Sequence, residues 1–326
     1  MVDDLKGAHK QRWYPDYQDR DSDIIHYDEF LIPGCDVKFR GPGFNPFEAE
    51  QGSFFSCIGS AHTYGPYFPS PYPTLLSKEL GMPVLNLGVG GTGPGFYGQY
   101  DSLIEAMNRG RFVVLQCMAA RQEANSRFDT DGHVEFVKDR TTGESLNSGL
   151  AWKRIVEEDS SNALRYVAET RLSWIETIRK LVERLTVPVI FLWFTEREMA
   201  YGFDRAAFEE QIRAMADGTD ENYHVNALAG EFPHFIDEWT AEAVAALCDG
   251  RAECISSRGM GKPIVSQFTG EPIAGVTQEE AAARPELTGR IDGMNRYYPS
   301  PEMHEDAAAA LLPVARKIMQ DTTASK

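Results

Sequence analysis

The sequence predicts an α/β protein, a three-layer α/β/α sandwich built around a parallel five-stranded sheet. Short apolar runs of strand length alternate along the chain with longer segments whose apolar residues recur at helical spacing. Hydrophobic residues make up 42% of the 326 residues, which is enough for a substantial core. Strands that alternate with helices favour a parallel sheet with both faces covered.

The element boundaries follow from apolar runs and from glycine and proline positions. The predicted strands are residues 53–58, 83–88, 112–118, 187–194 and 252–257. Gly81 ends the first helix as a C-terminal cap, and Pro301 suits the first turn of the last one. The predicted helices are residues 72–80, 96–108, 162–185, 205–216, 237–247 and 300–319.

Other segments interrupt this alternation. Residues 1–52 are rich in Tyr, Asp, Pro and Gly, and they predict an irregular N-terminal arm packed on the core. Residues 53–326 predict a single α/β domain with long excursions at about 121–160 and 258–298.

Charge and cysteine content disfavour several classes of function. With 32 Lys and Arg against 49 Asp and Glu, the formal net charge is −17, which disfavours nucleic acid and anionic membranes as partners. No apolar run reaches the roughly 18 residues of a membrane helix. The start of the sequence lacks the apolar segment of a signal peptide, so we expect a cytoplasmic protein. The 5 cysteines form no Cys-x-x-Cys pair, so we expect reduced thiols and no metal site, and no motif predicts a cofactor.

Polar and glycine-rich motifs follow three of the predicted strands. Residues 59–65 read Gly-Ser-Ala-His-Thr-Tyr-Gly, and residues 86–91 read Asn-Leu-Gly-Val-Gly-Gly. Arg121 follows the third strand, with Asn125 shortly after it. The carboxyl ends of parallel strands share one edge of the sheet, where such proteins bind their ligands. We therefore expect a functional site there.

A further motif lies near the C-terminus, where residues 298–304 read Tyr-Pro-Ser-Pro-Glu-Met-His. Ser300 as N-cap, Pro301 in the first turn and Glu302 near the positive helix end together explain a helix start. They do not explain His304, which is therefore a candidate catalytic base.

Together these motifs resemble those of the SGNH (GDSL-type) hydrolase superfamily, over residues 54–319. Residues 59–65 match three of the five fixed positions of its first motif, Gly-Asp-Ser-x-Thr-x-Gly, but Ser60 stands at the Asp and Ala61 at the nucleophilic Ser. The chain also looks like a divergent branch of the superfamily linked to surface polysaccharides. The resemblance implies a flavodoxin-like parallel five-stranded sheet and acyl transfer, by an esterase or an O-acyltransferase.

The resemblance also implies roles for individual residues. His304 corresponds to the catalytic histidine, although the Asp of the Asp-x-x-His motif falls on Pro301. Gly91 corresponds to the glycine whose N–H binds the oxyanion. The third motif, Gly-x-Asn-Asp, has no ungapped match, and Asn125 supplies its amide only if the loop is longer.

Several interpretations stay open at this stage. Ser60 is either a displaced nucleophile or a cap of the turn. His62 is a candidate base or substrate contact, Arg121 binds an anion or forms an ion pair, and Tyr64 stacks on a sugar or packs in a turn. Three functions remain possible at this stage. The first is serine-dependent acyl transfer on an ester or a carbohydrate hydroxyl, the second is direct transfer from an activated donor without a serine, and the third is carbohydrate binding without catalysis. We expect a small-molecule or carbohydrate partner; the oligomeric state is open.

Overall fold

A computed structural model describes residues 21–130, 136–200, 232–283 and 291–324. The helix predicted at 205–216 lies outside the described residues. The strands are β1 Phe30–Leu31, β2 Lys38–Phe39, β3 Phe55–Gly59, β4 Val84–Gly88, β5 Val113–Gln116, β6 Phe128–Thr130, β7 Phe136–Asp139, β8 Ser145–Asn147, β9 Val189–Thr195 and β10 Gly250–Ile255. The helices are α1 Ala61–Tyr64, α2 Tyr72–Leu80, α3 Asp101–Asn108, α4 Ser148–Asp159, α5 Ala163–Glu183, α6 Glu238–Ala245, α7 Gln278–Ala283 and α8 Pro301–Ala324.

The central sheet has five strands in the order β10-β9-β5-β3-β4, all parallel. Along β9, Phe191 and Trp193 enter one core cluster, while Leu192 and Phe194 enter the other. This alternation places apolar side chains on both faces of the strand. Helices α2 and α8 cover one face, and α3, α5 and α6 cover the other. The predicted three-layer α/β/α sandwich is confirmed.

The helix predicted at 96–108 differs from expectation. Residues Pro94–Gln99 form a 3₁₀ helix, and Tyr100 is extended with φ −108° and ψ 103° before α3 begins. Gly95 and Gly98 explain the break, because glycine has a low propensity for the α-helix interior.

Residues 21–50 run across the sheet domain. Strands β1 and β2 pair with each other, and Arg40 forms an isolated bridge with Asn86 of β4. Ile24 and Tyr27 pack with Tyr64 in a separate apolar cluster. The arm therefore lies against the turn that follows β3.

The segment predicted as a polar excursion at 121–160 has regular structure. Strands β6, β7 and β8 form an antiparallel sheet that leads into α4. Its side chains Phe128, Val137 and Trp152 belong to the larger core cluster. Within the described part of the chain, no helix has the length and apolar character needed to cross a membrane.

Candidate functional site

The candidate site lies at the carboxyl edge of the central sheet, where β3, β4, β5 and β9 end. Gly59 ends β3 opposite Gly88 of β4. A Cβ atom on Gly59 would lie 2.2 Å from Thr63 Oγ1 and 2.5 Å from Gln116 Oε1, so no larger residue fits. The close packing explains why the strand must end in glycine before α1 begins.

Ser60 precedes α1, and its hydrogen bonds run to Gln116 at the end of β5. The Ser60 N–H and its hydroxyl donate to Gln116 Oε1, at 2.9 and 3.2 Å. An amide oxygen does not accept the serine proton as a base does. The hydroxyl thus anchors the turn in this state and is not held by an imidazole.

Ala61 is the first residue of α1, and its side chain is nearly buried. Its backbone N–H belongs to the first turn, whose donors have no partner inside the helix. Gly91 has φ +70° in the loop after β4. In the described residues no acceptor bonds the N–H of Ala61 or of Gly91. Two backbone donors are therefore available at the ends of neighbouring strands.

Buried polar side chains fix the position of α1. Thr63 Oγ1 and Tyr72 Oη form a hydrogen bond of 3.0 Å, and Asn86 Nδ2 donates to the Thr63 carbonyl at 2.9 Å. The Tyr97 hydroxyl accepts from the Gly59 N–H at 2.9 Å. These contacts join α1 to β4 and to α2.

His304 is fully buried on α8, beside the rings of Phe68, Tyr72 and Phe194. Its Nδ1 accepts the backbone N–H of Tyr72 at 3.2 Å. A neutral imidazole that accepts at Nδ1 carries its proton on Nε2, and Nε2 is buried without a hydrogen-bond partner. Burial, followed by His62 and Arg40, holds the pKa of His304 well below its usual range. This tautomer is the reverse of a base whose Nδ1–H is held by a carboxylate.

The start of α8 explains why none of the described carboxylates orients His304. Ser300 Oγ accepts the Met303 N–H at 3.1 Å, which confirms Ser300 as the helix N-cap. Pro301 offers no acceptor at the acidic position of the family motif. Glu302 instead forms an ion pair with Lys262.

His62 differs from His304 because the residue as a whole is only partly buried. Its ring stacks on Phe232 with centroids 4.0 Å apart, and it meets the edge of Phe194 at 5.5 Å. Burial lowers the pKa of His62 to about 3. Its ring nitrogens make no hydrogen bond within the described residues, so the neutral imidazole keeps an acceptor nitrogen available.

His234 was not predicted from the sequence. It is buried, and Ala120 at the end of β5 donates its N–H to the His234 carbonyl at 3.1 Å. Burial lowers the pKa of His234 well below its usual range, and Arg121, Arg197 and His62 lower it further. Sequence alone gave no signal for it, because residues 232–236 carry no motif.

The remaining predicted site residues hold structural contacts. Asn125 donates to Thr170 Oγ1 at 3.1 Å, and its Oδ1 accepts the N–H groups of residues 127 and 128. Tyr64 is buried, and its hydroxyl donates to Glu29 at 3.0 Å. Arg121 is nearly buried, close enough to His234 to affect its pKa. Roles for these residues in substrate binding stay predictions.

Arg40 is a second buried residue that the sequence did not single out. Its guanidinium donates to the carbonyl oxygens of Tyr64, Gly65 and Phe68, which form the turn after α1. It also lies over the Tyr27 ring, 4.8 Å from the centroid. The arm thus stabilises the turn that carries the candidate site.

Gln122 and Glu123 follow β5 and contact the glycine-rich loop after β4. Gln122 Nε2 donates to the Gly91 carbonyl. Burial raises the pKa of Glu123 to about 7, against hydrogen bonds from Thr177, Ser173 and Gly95 that lower it. Within the described residues, no cluster of three or more His, Cys, Asp and Glu side chains has the geometry to hold a metal ion.

The first part of the described chain matches a known family model. A family model, "Domain of unknown function (DUF6473)", matches residues 16–131, which include the motifs at 59–65 and 86–91. No curated protein matches significantly.

Solved structures that are similar include a catalytic mutant of Axe2, an acetylxylan esterase from Geobacillus stearothermophilus. It is 14% identical with a TM-score of 0.36, and the match covers 83% of this chain and 96% of that one. A protein from Lactobacillus plantarum is 11% identical with a TM-score of 0.34, covering 82% and 98%. A gut microbial diltiazem-metabolizing enzyme is 12% identical with a TM-score of 0.35, covering 82% and 47%. At this level of similarity no residue role is carried over.

Proposed function

We propose that this chain is an SGNH-like enzyme that hydrolyses or transfers an acyl ester, with a carbohydrate as the acyl-bearing substrate, and that it forms no acyl-serine intermediate. Two observations carry the proposal: the Ala61 and Gly91 N–H groups, near the ends of β3 and β4, have no acceptor within the described residues, and the partly buried residue His62 follows Ala61 on α1. Donors of this kind stabilise the negative oxygen that develops during acyl transfer.

The proposed reaction passes through no covalent intermediate with the enzyme. A ring nitrogen of His62 takes the proton of a water molecule or a sugar hydroxyl, whose oxygen forms a bond to the ester carbonyl carbon. The carbonyl electron pair moves to its oxygen, which accepts hydrogen bonds from Ala61 N–H and Gly91 N–H. As the carbonyl re-forms, the bond to the ester oxygen breaks, and the imidazolium returns its proton to the departing alcohol.

Two observations argue against serine as the nucleophile. The Ser60 hydroxyl donates to Gln116, and the residue after it is alanine. His304 accepts a backbone N–H at the nitrogen that a triad carboxylate would otherwise hold. Neither residue has the partner that a serine–histidine pair requires.

The pKa of His62 sets the energetic demand on this mechanism. An imidazole whose pKa is about 3 is harder to protonate than an ordinary one by about 5 kcal/mol, at about 1.4 kcal/mol per pKa unit. A nearby oxyanion favours the charged ring and offsets part of this cost. A protonated His62 ring is therefore more stable beside the oxyanion of the intermediate than it is alone in this site.

The first test measures acetate release from acetylated xylooligosaccharides and from p-nitrophenyl acetate, beside labelling with a fluorophosphonate read by intact mass. Acetylated xylooligosaccharide is chosen because Axe2, one of the similar structures, is an acetyl-xylooligosaccharide esterase. We expect turnover without a covalent adduct. His62→Phe, which retains a ring against Phe232, should lower kcat/KM by at least about 100-fold.

Ser60→Ala should stay within severalfold of the parent. His26→Phe is the matched control, since His26 is exposed on the arm and bonds Asp28. An adduct on Ser60 that abolishes turnover would establish the serine mechanism instead. Full activity in His62→Phe would show that His62 is not the base, which contradicts the proposed mechanism.

A second candidate function is binding of an acylated carbohydrate without turnover. The observation that favours it is that burial keeps His62 and His304 neutral while the Ser60 hydroxyl donates to Gln116. Calorimetric binding of an acetylated xylooligosaccharide, with no release of acetate over a day, would support binding over catalysis.

A further inference from the structure

The loop after β4 is rich in glycine and needs outside contacts to hold one conformation. Gly90, Gly91, Gly93 and Gly95 leave few side chains to fix it, and glycine backbones lose the most conformational entropy on ordering. Its internal backbone hydrogen bonds include Thr92 N–H to the Val89 carbonyl, at 3.3 Å. The direction of the Gly91 N–H therefore depends on neighbours of the loop.

Gln122 supplies one such contact. Its side chain is nearly buried, and Nε2 donates to the carbonyl oxygen of Gly91. Its other amide atom, Oε1, is buried without any hydrogen-bond partner. A buried acceptor left unpaired costs about 1–3 kcal/mol. A donor beside Gln122 Oε1 would remove that cost and fix the amide plane.

Glu123 lies beside the same part of the loop. Measured from the position that a Cβ atom on Gly93 would occupy, Glu123 Oε1 is 3.6 Å away and Gln122 Oε1 is 3.7 Å away. Glu123 Oε2 accepts the hydroxyl of Thr177 at 2.8 Å and that of Ser173 at 3.4 Å. The hydroxyls of α5 thus hold one carboxyl oxygen, while the loop, whose Gly95 N–H also bonds this carboxyl, lies near the other.

We propose that Gln122 and the neutral carboxyl of Glu123 act together as positioning residues for the Gly91 donor, with the Glu123 O–H donating to Gln122 Oε1 and Gln122 Nε2 holding the Gly91 carbonyl. This inference rests on the proposed function for the role of Gly91, but the contacts themselves do not depend on it. Neither side chain touches the substrate.

The pH dependence follows from the groups that face Glu123 in the described part of the chain. These are Thr177 and Ser173 from α5, Gly93 and Gly95 from the loop, and Gln122 from its own segment, and none of them is charged. Because the pKa of Glu123 is raised to about 7, the carboxyl is neutral below that pH and ionised above it. Ionisation removes the proposed donor to Gln122 Oε1 but keeps the Gly95 N–H bond to the carboxyl, so the contact of Gln122 with the Gly91 carbonyl is the part of the loop that loosens as the pH rises.

The test compares the parent chain, Glu123→Gln and Gln122→Met between about pH 6 and pH 8. For a single group that titrates near 7, kcat/KM of the parent should fall about tenfold across this range. Glu123→Gln keeps a donor toward Gln122 and cannot ionise, so its profile should be nearly flat. Gln122→Met has a similar volume without the amide, and it should lower kcat more than it changes KM, because the oxyanion forms only after binding.

Glu176→Gln is the matched control. Glu176 lies on α5, the helix that carries Ser173 and Thr177, but it forms a surface ion pair with Arg179 and Lys180. This variant should keep the pH profile of the parent. Amide hydrogen exchange of residues 90–95 and the carbon-13 shift of the Glu123 carboxyl supply readouts that need no turnover. Relative to the intrinsic base-catalysed rate, which rises with pH in every variant, we expect exchange to quicken above pH 7 in the parent and not in Glu123→Gln.

Identical pH profiles or identical exchange in the parent and Glu123→Gln would overturn the inference. Absence of turnover in the parent, together with the expected exchange difference, would overturn the proposed function and leave this positioning role in place.

Discussion

Replacing Glu123 with Gln should remove a pH-dependent loss of folding stability. Glu123 is 3% exposed, and its pKa rises from an ordinary 4.5 to about 7. A carboxyl whose pKa is raised by folding binds its proton more tightly in the native state. Its contribution to stability is therefore fully present below 4.5 and is lost as the pH rises to about 7.

The magnitude follows from the difference between the two pKa values. A difference of about 2.5 at about 1.36 kcal/mol per pH unit gives about 3.4 kcal/mol, of which about 2.5 kcal/mol falls between about pH 5 and pH 8. Urea unfolding of the parent and of Glu123→Gln at both values measures it. The other titrating groups are common to both proteins, so the difference between the two isolates Glu123. We expect the variant to gain about 2.5 kcal/mol on the parent between those values.

Parallel pH dependence in the two proteins would refute the reasoning, because it would mean that Glu123 ionises as readily in the native chain as in the unfolded one. Glu176→Gln serves as the control. Side-chain hydrogen bonds from Arg179 lower the pKa of this surface residue to about 2, so it is ionised throughout the range. Its curve should run parallel to that of the parent.

Three other predictions test the site and its support. Two-bond proton–nitrogen NMR should show His304 as the Nε2–H tautomer between about pH 5 and pH 8, and an Nδ1–H or charged ring would contradict the Tyr72 contact. Ala61→Ser should react slowly with a fluorophosphonate, and adding Pro301→Asp should quicken labelling by at least about tenfold, since the aspartate can hold Nδ1–H; equal rates by intact mass would show that orientation is not limiting. Arg40→Met should lower the free energy of unfolding by about 3 kcal/mol, because three carbonyl oxygens lose their donor. Arg40→Lys should recover part of that loss in urea unfolding, and a Met variant as stable as the parent would show that water replaces the guanidinium.

The fold was predictable because its signals are local. Each apolar run was long enough for one buried strand, and alternation along β9 places Phe191 and Leu192 on opposite faces of the sheet. The exception was the helix at 96–108, where Gly95 and Gly98 favour a 3₁₀ turn that apolar spacing did not reveal. The antiparallel strands at 128–147 were missed because each of the three is only three or four residues long.

The site was predictable only in part. His62 and Gly91 lie in motifs that follow a strand, and both border the carboxyl edge of the sheet. Gln116 and His234 carry no motif, because their importance comes from contacts with residues far away in sequence, such as Gln116 with Ser60. The contact of Asn125 could not be predicted for the same reason, because its amide donates to Thr170, a residue on α5 that is distant in sequence.

Ala61 and Pro301, the two departures from the motifs that the sequence resembles, are physically coupled. The first turn of α2 has free N–H groups, and its N-cap residue, Pro71, supplies no side-chain acceptor. His304 Nδ1 satisfies the Tyr72 N–H, which it does only when that nitrogen is unprotonated. A carboxylate at Pro301 would favour Nδ1–H, and two N–H groups would then oppose each other. With Ala61 there is no hydroxyl for Nε2 to deprotonate, so an imidazole fixed as a donor is consistent with both substitutions. A serine introduced at position 61 alone would therefore face the protonated Nε2 of His304, which cannot accept its proton.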